Sequence, residues 1–437
     1  MNEAPSQFIE IKQLRPGLFI ELELGWMSHP FPSGSFKISS QKQIEIIRSL
    51  GLTRVRYVPG KSDLEDEAGA SDVLASLPEY DANMKIGESE PAIDSAAQEA
   101  GLRKQKRDWL DEQQRRLVVC ERRFGEATDQ YRQVVAQLDV NPVAAMSQSL
   151  GLVTTFVGDL AGEGASAIRL LSEGMGDKAY MHPVNVTVIA LLLGKAVGLA
   201  QTDMVDLGMA AFLHDIGKTR LPDRVRWLDE SYSPAEHALY QDHVAQSVAL
   251  CQSMTLTSGA LQAVAQHHEL IDGSGFPAQI SGERMTVAAK ILSLVNRYEN
   301  LCNPGRPGAA VTPHEAQALI FAQLKSRFDS AVFGSFLRMM GVYPPGFTVQ
   351  LTDGRFALVV SVNTSRPLKP SVLVYEPGAS LDDPLILELE HSPGVNIKRS
   401  LKPATLPSAV LEYLSPRDRI CYFFERAMDP QHAGESS

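Results

Sequence analysis

Six of the ten histidines in this 437-residue chain fall between positions 182 and 268. One adjacent pair, His214-Asp215, lies at their centre, with His182 upstream and His243 and the run His267-His268-Glu269 downstream. Imidazole and carboxylate together suit Fe, Mn or Zn, and a carboxylate can bridge two metals where a lone imidazole cannot. Two metals held close together are the usual apparatus for attack on a phosphoester. These residue types therefore point to a metal-dependent phosphohydrolase, or to a protein descended from one. Taken singly, a helix-borne histidine is more often a packed or surface residue, and His29, His237, His314, His391 and His432 are read that way.

Helices must position the rest. Residues 145–340 read as a continuous helical series. Thr202 or Asp203 can cap a helix through Met204, Val205, Leu207 and Phe212, which puts His214-Asp215 in its last turns. Ser233-Pro234-Ala235-Glu236 is a capping box with proline at the first helical position, and Thr312-Pro313-His314-Glu315 repeats the device. His243 lies within the helix that Ser233 opens, and His267 and His268 end another that starts near Gly259. Adjacent helix residues point about 100° apart, so neighbouring ligands share a cavity best near a helix end. Four helices that bring ligands inward are an established way to build a two-metal site.

Around that region the chain changes texture. Residues 1–65 read as a small α+β domain, with strands at Phe8–Ile11, Leu18–Leu22 and Arg54–Val58 and a helix over Gln41–Leu50. Residues 66–144 hold a linker, acidic and Ala/Ser-rich over 61–100, and then a long amphipathic helix. The helix, over 101–136, is either a solvated connection or a surface for homodimerisation and for signalling-protein partners. Residues 341–437 form a β-rich module that opens with a hairpin, Phe347–Leu351 and Phe356–Val360 about Thr352-Asp353-Gly354, followed by a strand at Ser371–Tyr375. The expected fold class is mainly α, with the metal domain at 145–340.

Composition narrows the partners. A hydrophobic share of 44% and a charged share of 21% fit a globular protein with sizeable cores. The net charge of −11 argues against a nucleic-acid partner and mildly against an anionic membrane surface. Val184–Ala200 is too short and too polar for a span, with Asn185 and Lys195 inside it, and reads as a buried helix. No basic and apolar segment opens the chain, and its four cysteines are scattered, as expected of reduced thiols in a cytoplasm.

The segments Phe212-Leu213-His214-Asp215-Ile216-Gly217-Lys218 and His267-His268-Glu269-Leu270-Ile271-Asp272-Gly273-Ser274-Gly275-Phe276-Pro277 closely resemble the HD-GYP family. This is a branch of the HD-domain phosphohydrolases that act on cyclic di-GMP. The resemblance covers about residues 150–340, while the N-terminal unit and the β-rich tail are similar to domains that accompany this one. It implies two divalent transition metals, Fe or Mn, with His182, His214 and Asp215 on one and Asp215, His243, His267 and His268 on the other. Asp215 and Lys218 would serve the chemistry. Lys218 and Arg306 would meet phosphate oxygens, and the loop containing Asp272, Gly273, Gly275 and Phe276 would shape the pocket.

Several positions depart from the family pattern. Phe276 replaces the tyrosine of the Gly-Tyr-Pro motif, which loses a hydroxyl and keeps the ring. Asn296 replaces a metal-binding aspartate, and a neutral carbonyl oxygen holds a metal more weakly. Arg306-Pro307-Gly308-Ala309 lacks a second phosphate-contacting base, and Lys178 stands where some members place a glutamate for a third metal. Two functions fit: a cyclic di-GMP phosphodiesterase giving linear dinucleotide or GMP, or a weakened module that binds metal or cyclic di-GMP and signals through a partner.

Overall fold

The computed structural model describes residues 7–22, 35–38, 41–49, 52, 54–59, 62, 95–162, 164–172, 176–229, 231–378, 384–392 and 394–427. The chain divides into two compact units, Met1–Trp109 and Leu110–Ser437.

In the first unit, β1 (Gln7–Glu10), β2 (Phe19–Glu21), β3 (Ser35–Lys37), α1 (Gln41–Ser49) and β4 (Arg54–Tyr57) follow one another. The strands form one antiparallel sheet in the order β1-β4-β2-β3. Ile20, Ile44, Ile47 and Val55 fill the core beneath it. Ile44 and Ile47 lie three apart on α1, so the helix turns a single apolar face inward. The sequence pattern finds each of these elements except β3, which is three residues long and too short to alternate. The expected linker falls almost wholly outside the described residues until Ser95, where α2 (Ser95–Gln137) begins.

The second unit starts within α2. Its Cys120, Phe124, Ala127, Tyr131 and Val134, spaced by three or four, are buried in the unit's own core. This apolar stripe therefore packs within the chain, while Val118 and Val119 remain exposed. Then come α3 (Pro142–Ala161), β5 (Ser166–Leu170), α4 (Lys178–Val197), α5 (Gln201–Leu213), α6 (Pro234–Gln241), α7 (His243–Ser253), α8 (Ser258–Gln266), α9 (Val287–Cys302), α10 (Pro313–Leu319) and α11 (Ser330–Met340). Strands β6 (Thr348–Leu351), β7 (Phe356–Asn363), β8 (Ser371–Val374), β9 (Leu385–Glu388) and β10 (Ile397–Leu401), then α12 (Ser408–Leu414) and β11 (Tyr422–Arg426), complete it.

Helix α4 is apolar around most of its circumference and accordingly sits at the centre, buried from Met181 to Gly194. It is long and apolar enough to cross a membrane by length and composition alone, and most of it is covered by other parts of the chain. Helix α5 packs against α3, α4, α8 and α9. Gly208 permits the close approach to α3, since a Cβ there would stand 2.6 Å from Val153. Both expected capping boxes form, at Ser233-Glu236 and Thr312-Glu315. The expected cap of α5 does not: Ala200 holds that position, with no side-chain bond.

One strand interrupts the expected helical series. β5 lies between β7 and β11 in a seven-stranded antiparallel sheet, pairing Ile168 with both Val362 and Phe424. All five of its residues are buried, so it shows none of the alternation that reveals a half-exposed strand. The hairpin forms as expected, Gly354 taking the left-handed turn position at φ 92° between β6 and β7. Phe423 and Phe424 of β11 pack edge-to-face on Phe156 of α3, joining sheet and helices in one core.

Candidate metal centre

Three of the histidines stand where a helix runs out. His214 follows α5, His267 follows α8, and His243 comes two residues past the end of α6 and opens α7. The sequence pattern had set His243 inside the Ser233 helix; the break at Asp242 instead gives it an end of its own. Carbonyls in a last helical turn lack an intrahelical partner. Each ring reaches back three residues to one of them, His214 Nδ1 to Ala211 at 2.8 Å, His267 Nδ1 to Val264 at 2.6 Å and His243 Nδ1 to Tyr240. A carbonyl only accepts, so Nδ1 carries the proton in all three and Nε2 keeps its lone pair for a ligand. His182, on α4, reaches the same state by another route, its Nδ1 donating to the buried carboxylate of Glu299 on α9.

All four Nε2 atoms close on Asp215. Its Oδ2 lies 3.2 Å from His182 and 3.4 Å from His214, and its Oδ1 lies 3.3 Å from His243 and 3.6 Å from His267. Within each pair the two Nε2 atoms stand 3.2 and 3.3 Å apart. Two nitrogens each about 2 Å from one ion would be separated by roughly 3 Å. His182, His214 and Asp215 thus form one candidate ligand group, and Asp215, His243, His267 and His268 a second. Asp215 Oδ1 and His268 Nε2 are buried without a hydrogen-bond partner among the described residues. Orphaned acceptors beside convergent lone pairs are what a cation would satisfy, so the residues fit divalent metal.

The turn after Asp215 brings in Lys218. A 3-10 turn over Ile216–Arg220 folds the lysine back so that Nζ donates to Asp215 Oδ2 at 2.6 Å. Gly217 is required there, since a Cβ would stand 2.3 Å from the His243 carbonyl oxygen. Burial pushes the His214, His243 and His267 rings below their ordinary pKa against the pull of Asp215, and His268 well below it. The neutral, ligating ring is the form favoured at these four. At His182 burial also opposes the charge, but Glu299 and Asp215 outweigh it and raise the pKa. Burial works against ionised Asp215 too, yet His214, Lys218 and His182 hold its carboxyl well below the usual range.

A cavity of about 490 Å³ opens beside the cluster, lined by His267, His268, Tyr240, Trp227, Phe276, Asn296 and several cations. Phe276 stacks on His268, with centroids 4.5 Å apart at 17°. Gly275 lines the cavity and lies against the His268–Leu270 backbone, where a Cβ would stand 2.5 Å from Glu269 Cα. Asp272 and Gly273 do not line it. Asp272 accepts from Ser274, Gly273 takes φ 77°, and the pair fixes the turn. Asn296 does face the cavity, but its Oδ1 already accepts from Asn300 at 2.6 Å. Arg306 lines the rim, 73% exposed at its side chain, and is paired to Asp229 at 2.5 Å.

Sequence reasoning missed several participants. Glu299 orients His182 and lies three residues past Asn296 on the same buried face of α9, a spacing that was available as a signal. Glu269, seen only as part of a histidine run, clamps the pocket loop by accepting from the Ala278 and Ile280 amides. Trp227 and Arg297 line the cavity and belong to no motif.

Family models match three stretches of the chain: an HD domain over residues 167–332, a domain of unknown function (DUF3391) over 6–148, and a KOW domain associated with HD domain over 348–409. The cyclic di-GMP phosphodiesterase PA4108 of Pseudomonas aeruginosa is 28% identical over 384 residues, covering 84% of each chain. The cyclic di-GMP phosphodiesterase response regulator RpfG of Xanthomonas campestris pv. campestris is 30% identical over 166 residues, 37% of this chain and 43% of that protein. Among solved structures, an HDG"Y"P protein from Bdellovibrio bacteriovorus is 14% identical with a TM-score of 0.42, covering 76% of this chain and 98% of that one. An HD domain implies divalent-metal binding, and the His/Asp groups around Asp215 fall inside the matched residues. Residues 167–332 thus match the HD domain family, and the motifs around His214 and His267 resemble its HD-GYP branch.

Proposed function

We propose that this chain is a two-metal phosphodiesterase that opens cyclic di-GMP to the linear dinucleotide or to GMP. The observation that carries the reading is Asp215, whose two oxygens each face a different pair of histidine Nε2 atoms. His182 and His214 would hold one metal and His243, His267 and His268 the other, Asp215 bridging, with Fe or Mn suited to this nitrogen-and-carboxylate set. Divalent cations bound there supply Lewis-acid activation of water and of the phosphoryl oxygens.

The protein groups do the rest. Glu299 and the three helix-end carbonyls hold the histidines in the ligating tautomer. Lys218, fixed at Asp215, would meet a phosphoryl oxygen as negative charge develops. Tyr240 and Phe276 offer aromatic faces to a base, while the loop closed by Asp272 and Gly273 shapes the cavity. Arg306 would meet phosphate at the rim by exchanging Asp229 for it. The four cysteines are buried and joined by no disulfide, in agreement with a cytoplasmic setting.

A second reading rests on Asn296, which is neutral and already bonded to Asn300. A site so weakened would bind metal and cyclic di-GMP and pass the bound state to a partner. Purification under reducing conditions, with Fe or Mn supplied, separates the two. Release of linear product from cyclic di-GMP supports the enzyme, whereas binding with no product supports the sensor.

A further inference from the structure

Lys178 stands where a charge is unwelcome on several counts. It is the first residue of α4, a helix end already made positive by its free amides. The residue is 8% exposed, and its Nζ has no hydrogen-bond partner among the described residues. Glu299, the carboxylate that acts on it most strongly, is taken by His182 and Asn303. Burial pulls the Lys178 pKa down to about 8. What the ammonium does touch is the ring of Trp227, 4.2 Å from its centroid. The same indole has the Lys218 ammonium at 4.9 Å. One ring therefore neighbours two lysines, of which Lys218 is bound to Asp215 and Lys178 lines the large cavity.

A buried cation with no hydrogen-bonded counter-charge among the described residues costs stability that packing must offset. The cost has a return if an anion enters the cavity. Aromatic walls with this cation inside suit a nucleotide phosphate better than a simple carboxylate. A cyclic dinucleotide carries two phosphodiesters across one ring, so placing one at Asp215 and Lys218 directs the other away from the cluster.

We propose that Lys178 binds the second, unreacting phosphate of a cyclic dinucleotide. The assignment rests on the phosphodiesterase reading above. It makes Lys178 a specificity residue, selecting substrates with two phosphates over simple diesters.

The test compares metal-loaded, full-length wild type with Lys178→Met and Lys178→Arg on cyclic di-GMP and on bis(p-nitrophenyl) phosphate, which has a single phosphate. Lys178→Met should raise the KM for cyclic di-GMP at least about tenfold, the weight of one charge-assisted hydrogen bond. Its effect on the single-phosphate ester should be several-fold smaller, and Lys178→Arg should recover most of the dinucleotide loss. Equal losses on both probes, or none on either, overturn the assignment. Wild type that does not turn over cyclic di-GMP defeats the phosphodiesterase reading, and Lys178 is then judged by equilibrium binding of cyclic di-GMP. A Kd about tenfold weaker in Lys178→Met supports the assignment; an unchanged Kd, or no binding by wild type, overturns it.

Discussion

The ligand cluster and the cavity beside it are both rich in charge and imidazole, but the chain holds them by different means. In the cluster every candidate ligand side chain except His268 is buried, and the four Nε2 atoms around Asp215 are oriented by a carbonyl or by Glu299. At the cavity rim, Arg306 and Arg327 are exposed and paired to Asp229 and Asp272. Exposed pairs of that kind are worth only about 0–1 kcal/mol, so a phosphate can displace them. Removing one partner of a buried pair costs about 3–5 kcal/mol. The cluster is therefore preorganised, while the ion pairs at the rim are exchangeable.

Asp215→Ala should break this arrangement most severely. It removes the shared ligand of both groups and leaves Lys218 buried without its carboxylate. Metal content should fall from close to two per chain to near none, with turnover lost and stability reduced by about 3–5 kcal/mol. Metal analysis beside thermal unfolding checks this, and full metal occupancy in the variant would remove Asp215 from its bridging place.

Lys218→Ala tests whether the lysine acts on substrate or only steadies Asp215. Turnover should fall about a hundredfold while metal content holds, because the cation is needed most as charge develops on the phosphoryl group. Parallel loss of metal and rate would instead make Lys218 a support for the ligand. Asn296→Asp runs in the opposite direction: an anionic oxygen in place of a neutral one should tighten metal about tenfold and raise turnover at limiting metal. Competition against a chelator reads the change, and an unchanged affinity would mean that Asn296, bonded to Asn300, stays out of the coordination shell.

At the rim the effects should be small. Arg306→Ala removes a 73% exposed side chain, so the KM for cyclic di-GMP should rise no more than about fivefold with stability within about 0.5 kcal/mol of wild type. A loss approaching that of Lys218→Ala would erase the difference between cluster and rim.

Much of this was legible in the chain itself. His214, Asp215, His243, His267 and His268 stand out by residue type and helical placement, His182 as a ligand came with the resemblance to the HD-GYP family, and both capping boxes are read from local pattern. The conspicuous Lys-Asp contact follows from Gly217 and a single 3-10 turn. β5 was hidden because a strand buried on both faces has no period to betray it. Lys178 could be placed but not interpreted, since its meaning lies in what surrounds it.

The sequence by itself determined which groups could hold metal, because ligand chemistry belongs to residue types and helix ends belong to local pattern. Only the tertiary structure decided how those groups meet. Asp215 turns one oxygen to each histidine pair, Glu299 crosses from α9 to orient His182, and Trp227 brings Lys178 and Lys218 to one ring. Most of these contacts join segments far apart along the chain, and such distances are closed by packing the core rather than by any local propensity.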